Sequence, residues 1–276
     1  MTSPVLVTGG TGTLGRRAVP RLRDAGYDVR VLSRRSREGE QGIEFVRGDL
    51  ATGEGIEAAV EGAEIVLHCA GGPRGDEDKA RHLVRAASRA GVRHLVHISV
   101  VGADRVPLAG GIDRAMFGYF GSKLAAERVV TDSGLPWTTL RATQFYDLLL
   151  RVVGQMARLP VVPVAAGFRF QPVDTGEVAA RLVELTLGPP AGLVPDMGGP
   201  RVYEMAALVR AYLRASGRHR PILPVPVPGR AARAVRAGAN LAPDRAVGRR
   251  TWEDYLADEL GPSLRGATTP TAGPGR

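Results

Sequence analysis

Pro4-Val5-Leu6-Val7-Thr8-Gly9-Gly10-Thr11-Gly12-Thr13-Leu14-Gly15-Arg16 is the stretch from which the rest of the chain can be read. A short valine-rich run feeds glycines at 9, 10, 12 and 15, and an amphipathic stretch up to Gly26 follows. The order is strand, glycine turn, helix. Glycine tolerates positive φ, and a chain without Cβ atoms can lie against a pyrophosphate while free N–H groups at the helix start carry the charge. Glycine clusters also make ordinary turns, but the place of this one, after a buried strand and before a helix, points to a nucleotide. Pro20 removes one bond of the helix and predicts a kink or an irregular turn.

Outward from this turn, strands and helices alternate. Strands are expected at Asp28–Leu32, Ile43–Val46, Glu64–Ala70, His94–Val101 and Trp137–Ala142, with helices at Gly53–Val60 and Asp76–Ala90. This rhythm predicts an α/β fold, a doubly wound parallel sheet with its ligand beyond the carboxyl ends of the strands. At the end of the second strand stand Ser33, Arg34, Arg35 and Arg37, with no acid until Glu38. A carboxylate there would hold a ribose 2′-hydroxyl, whereas arginine suits a 2′-phosphate, so NADP(H) is expected over NAD(H). The plain alternative is a solvated loop. Asp49 accepts a hydrogen bond from an adenine amino group or caps the helix after it. Gly71-Gly72-Pro73 closes the fourth strand with residues small enough for a cofactor to lie close.

Tyr119 and Lys123 are four apart at the start of an expected helix and share one face. An ammonium beside a phenol lowers the phenol's pKa, so the tyrosine can give a proton to a carbonyl oxygen as hydride reaches the carbon. The alternative pairs Lys123 with Glu127.

Composition narrows the classes. The chain has 276 residues, 44% hydrophobic, enough for a sizeable core, and its apolar runs fall short of a membrane span. No leader precedes the first strand and the one cysteine, Cys69, forms no internal disulfide, so a soluble cytoplasmic protein is expected. The net charge of +9 is almost all arginine, with Lys79 and Lys123 the two lysines; its scatter argues against nucleic acid. In Gly229–Arg250, Arg230, Arg233 and Arg236 line one side of a helix, which reads as a solvated face or as an anionic-partner site. The five histidines form no metal-ligand spacing, and no metal is expected; His94 and His97 point to opposite faces of a strand.

The glycine turn, Asp49, the strand ending at Ser99, the Tyr119–Lys123 pair and Leu135-Pro136-Trp137-Thr138-Thr139-Leu140-Arg141-Ala142-Thr143-Gln144-Phe145 resemble the short-chain dehydrogenase/reductase superfamily, in the atypical NAD(P)H-binding branch of NmrA-like proteins and quinone reductases. The resemblance implies that Gly9, Gly12 and Gly15 hold the pyrophosphate, with Thr11, Thr13 and Leu14 filling the turn. It also implies that Arg34, flanked by Ser33 and Arg35, reads the 2′-phosphate, that Asp49 and Leu50 border the adenine, and that Ala70 and Gly71 line the cofactor. Tyr119 would be the acid and Lys123 the ribose holder; Thr143, Gln144 and Phe145 would face the nicotinamide. One departure is Ser99-Val100-Val101, which puts Ser99 earlier on the strand than the superfamily's catalytic serine. Either Ser99 is catalytic or no serine is used.

The second half is expected to form a small C-terminal substrate lobe: a helix at Leu148–Arg158, an extended Leu159–Val164, a strand at Phe168–Asp174, a helix capped by Asp174, another at Val202–Ser216 and a proline-laced edge segment at Ile222–Val227. Met116, Phe117, Gln144, Phe145, Tyr146 and Gln171 are expected to line the substrate pocket. The division is a Rossmann core over 1–145, an interleaved lobe over 146–265 and a disordered tail over 266–276. The implied activity is NADPH-dependent reduction of a small carbonyl, quinone or enone by a monomer or homodimer. The rivals are a non-catalytic NADP-binding redox sensor and a nucleotide-sugar epimerase or dehydratase.

Overall fold

The computed structural model describes residues 3–265 except Glu40 and Pro73; the tail expected over 266–276 lies outside the described residues. The first strand, β1 (Val5–Thr8), leads through the glycine turn into α1 (Gly15–Asp24). There follow β2 (Val29–Ser33), β3 (Ile43–Arg47), α2 (Ile56–Val60), β4 (Ile65–His68), α3 (Asp76–Ala90), β5 (His94–Val100), α4 (Gly111–Thr131) and β6 (Trp137–Ala142). All pair in parallel in the order β3-β2-β1-β4-β5-β6. The fold is a doubly wound Rossmann sheet, and its strand order reverses between β1 and β4.

Alternation along the strands divides the core. Val5, Val7, Val31, Leu67 and Leu140 pack under α1 and the later helix over Thr175–Leu187 on one face; Leu6, Leu32, Val66 and Leu95 meet α2 and α3 on the other. Each central strand is apolar on both sides because helices cover both. Within α1, Pro20 is accommodated and the helix runs through it; the neighbouring carbonyl of Arg17 takes a bond from the Arg21 side chain at 2.7 Å.

After β6 come α5 (Tyr146–Met156), β7 (Val162–Ala165), β8 (Arg169–Phe170), α6 (Thr175–Leu187), β9 (Gly192–Leu193), β10 (Tyr203–Glu204), α7 (Met205–Ala215), β11 (Ile222–Val225), α8 (Arg230–Arg236) and α9 (Trp252–Arg265). Two of these return to the first body: β9 joins the main sheet as its seventh strand, and Val178 and Leu182 of α6 pack in the core beside α1. The others build a second core, in which Tyr146, Trp252 and Tyr255 stack at 5.0–5.7 Å around Leu208 and Val209. The strand expected over Phe168–Asp174 shrinks to β8, because the chain from Gln171 is consumed by side-chain and bridge contacts. Ile222–Val225 is an edge strand, as its prolines require.

Candidate active site

The turn after β1 is folded onto itself and onto the end of β4. Gly9 has φ +69°, and a Cβ there would fall 2.6 Å from the Ala70 nitrogen; at Gly15 one would fall 2.2 Å from the Gly9 carbonyl oxygen. A cradle this tight excludes any side chain at either position. Among the described residues, the N–H groups of Thr13, Leu14 and Gly15 make no backbone hydrogen bond, and the first turn of α1 holds no acid. Three donors and a helix start are thus left for an anion at the point of strand reversal. Gly10, given no role by its sequence context, lets the turn pack against Val31 of β2: a Cβ would lie 2.7 Å from that side chain.

At the end of β2 the Ser33 hydroxyl is buried and donates to the Arg35 carbonyl at 2.8 Å, which fixes the turn. Arg34 and Arg35 are exposed, and among the described residues neither pairs with a carboxylate. This donor set fits a 2′-phosphate. Asp49 accepts from the Ala51 N–H at 2.9 Å and closes a local turn. It does not cap α2, which starts later, behind Gly55. Leu50 is buried, and its carbonyl meets His82 at 2.8 Å.

α4 begins six residues before Phe117, so Tyr119 and Lys123 sit within the helix rather than at its start. The Lys123 ammonium lies 5.7 Å from the Tyr119 ring centre and 2.9 Å from Asp76. Asp76, 1% exposed, opens α3. Its carboxylate accepts from the Gly72 N–H at 2.9 Å and from Lys79 at 3.0 Å, and its own N–H donates to the Ser122 hydroxyl. A Cβ at Gly71 would fall 2.4 Å from Lys123 Nζ, which sets the ammonium against the end of β4. The Lys123–Glu127 pairing is absent; Glu127 instead takes two hydrogen bonds from Arg141 of β6, at 3.0 and 2.6 Å.

Desolvation pushes the Tyr119 phenol above its ordinary value although 38% of the residue is exposed; Lys123 pulls it down and Asp76 pushes it up. The net direction is upward, which corrects the expectation of a lowered pKa: desolvation outweighs the pull of Lys123, and Asp76 opposes part of that pull. Burial disfavours the ionised Asp76 carboxylate, but Lys123 and Lys79 outweigh it and hold its pKa below the usual range.

A polar row crosses the sheet beside this cluster. Thr8, His68, His97 and Thr139 are register neighbours on β1, β4, β5 and β6, and all are buried. Thr8 Oγ1 meets His68 Nδ1 at 2.7 Å, and the two imidazoles stack at 5.1 Å. Burial, helped by Lys123, pulls His68 down to about 4; burial, His68 and Lys123 hold His97 well below its usual value. Ser99, on the same face of β5, is 5% exposed, and among the described residues its hydroxyl finds no partner. Burial pushes the neighbouring Cys69 thiol up to about 12, so it stays protonated.

Other expected site residues are placed elsewhere. Tyr146 is fully buried, stacks in the second core and donates to the Arg250 carbonyl at 2.6 Å. Gln171, 1% exposed, spends its amide on Gly199 and Ala242. Phe117 is buried against Phe168, and Thr143 is buried and donates to the Gln171 carbonyl. All four side chains are buried and occupied by protein contacts in this structure. Gln144 donates to the Asn240 carbonyl at 3.1 Å; Phe145 stays half-buried and Met116 is 56% exposed. Asp76 was missed, and its one signal was an acid in the first turn of an expected helix.

Comparison with known proteins agrees with this geometry. Residues 9–155 match a family model described as NAD(P)H-binding. A ceramide reductase from Caulobacter vibrioides is 30% identical over 246 residues, covering 82% of this chain and 74% of that protein. A (4-alkanoyl-5-oxo-2,5-dihydrofuran-3-yl)methyl phosphate reductase from Streptomyces griseus is 34% identical over 144 residues, covering 51% of this chain; the chain spans 48% of that relative's length. The NADPH complex of a quinone oxidoreductase from Escherichia coli superposes with a TM-score of 0.76 at 17% identity, over 92% of this chain and 99% of the other.

Proposed function

The chain belongs to the NAD(P)H-binding family, and from that premise we propose that it is an NADPH-dependent reductase of a small carbonyl, quinone or enone. The observation that carries this is Tyr119 beside Lys123, with the ammonium set against Gly71 at the end of β4, one strand from the glycine turn. The Thr13, Leu14 and Gly15 N–H groups would hold the pyrophosphate, Arg34 and Arg35 the 2′-phosphate, and Lys123 the nicotinamide ribose. The cofactor, when bound, supplies the hydride. Tyr119 donates its hydroxyl proton to the substrate oxygen as negative charge gathers there, and its raised pKa keeps that proton in place through neutral pH. Lys123 steadies the phenolate left behind, and Asp76 fixes the lysine. The second core, built from the parts of 146–265 that do not return to the main sheet, supplies the substrate side, with Met116 and Phe145 at its margin.

Steady-state NADPH oxidation against quinones, enones and aldehydes tests this beside Tyr119→Phe. Expected is turnover that falls at least about 100-fold in the variant while NADPH still binds; equal turnover removes Tyr119 from the mechanism. The sensor reading draws on Ser99, whose buried hydroxyl offers a substrate no clamp. Tight NADPH binding with no turnover across the panel would favour it.

A further inference from the structure

The small sheet of β7 and β11 has a face that neither the nucleotide turn nor Tyr119 uses. Pairing is Val162 with Ile222, Pro163 with Leu223 and Ala165 with Val225. Val162 and Val164 turn inward and pack in the second core, with Ile222 beside them. By alternation Val161, Pro163, Leu223 and Val225 share the outer face. Val161 is 42% exposed, Leu223 54% and Val225 39%, and Leu159 just before them is 46% exposed. A strand pair with one buried face ordinarily shows polar residues on the other; this one is aliphatic on both.

Arginines border that face. Arg210, Arg214, Arg218, His219 and Arg220 line a single groove together with Ile222, the first residue of β11. Pro221, whose carbonyl accepts from the Val162 N–H at 2.9 Å, is in the groove and leads directly into β11, so the arginines adjoin the strand pair in the chain. Residues 205–243 contain seven arginines and no acid, and residues 148–173 contain three and no acid. Among the described residues, none of the four groove arginines has an ion-pair partner. Uncompensated guanidinium groups match phosphate, and aliphatic side chains beside them match the boundary between lipid headgroups and acyl chains. Nucleic acid would want aromatic platforms or a polar groove wall in place of valine and leucine.

We propose that the β7/β11 face, with Arg214, Arg218 and Arg220, docks the protein on an anionic lipid membrane surface. The aliphatic side chains enter the headgroup boundary and the guanidinium groups hold lipid phosphates. The test is sedimentation of the full chain with phosphatidylcholine vesicles, with and without phosphatidylglycerol. Expected is binding to the anionic vesicles that weakens as salt rises, falls at least about tenfold in Arg218→Glu/Arg220→Glu, and falls also in Leu223→Ser/Val225→Ser. All four positions are exposed, and unchanged far-ultraviolet dichroism separates lost docking from lost fold. Equal binding to both vesicle types, no binding to either, or unaltered binding by the arginine variant overturns the proposal. So does tighter binding to duplex DNA or to an acidic protein than to anionic vesicles at the same salt.

Discussion

Asp76 joins three elements through one carboxylate: the loop after β4 through Gly72, α3 through Lys79, and α4 through Lys123. If Lys123 acts on Tyr119, then Asp76 sets how much of the lysine's charge the phenol feels. Asp76→Asn keeps the shape and removes the negative charge that pushes the phenol up, leaving the pull of Lys123 less opposed. The Tyr119 pKa should then fall, and the alkaline limb of the reduction rate should move to lower pH, with kcat reduced about tenfold and KM nearly unchanged. Asp76→Glu should recover part of the loss. A pH–rate profile that does not move would reduce Asp76 to a structural role. The Tyr119–Lys123 pair was legible in the sequence because helical spacing carries it; Asp76 was not, because its partner sits on another helix. The contacts of Tyr146 and Gln171 were not legible for the same reason: local pattern shows an aromatic and an amide, but not that they bond the backbone at Arg250 and Ala242.

The fixed start of α6 matters to the nucleotide turn, because α6 packs on α1 in the core of the main sheet. Asp174 caps it, accepting from the Gly176 and Glu177 N–H groups at 2.7 and 3.2 Å, and its other oxygen takes Arg250 at 2.8 Å. Asp174→Ala loses both contacts and should cost about 2–3 kcal/mol; Asp174→Asn keeps the cap, loses the charge pairing and should cost about 1 kcal/mol. Urea denaturation reads the difference, and equal losses would show that the cap contributes nothing beyond the ion pair. This cap was legible, since Asp174 precedes an apolar run with Glu177 three residues on. The last helix, α9, went unseen although Thr251 and Asp254 bond each other reciprocally at its start, a signal of the same kind. β9 and β10 are two residues each and carry no period to detect. The five-strand rhythm from Val5 to Val100 was legible because strands buried on both faces leave long valine and leucine runs.

Across the whole molecule, the acids and arginines are unevenly distributed and the centre of the sheet carries a polar row in place of a dry core. The histidines of that row tie fold stability to pH. Burial depresses His68 to about 4 and His97 well below its usual value, so the folded protein holds these imidazoles neutral. The unfolded chain takes up their protons below about pH 6.5. Between that pH and the folded value the unfolded state binds more protons, so stability is full above about 6.5 and drains as pH falls. His68 alone accounts for on the order of 3 kcal/mol once the pH reaches its folded value, and His97 deepens the loss. The melting temperature should therefore fall steeply as pH drops from about 6.5 to about 5, a range in which Asp76, with its lowered pKa, keeps its charge. His97→Leu removes one titrating group from that range and should flatten the fall, even if it lowers stability at neutral pH by disturbing the stack on His68. A variant that loses stability with acid as steeply as the wild type would place the pH sensitivity outside the row.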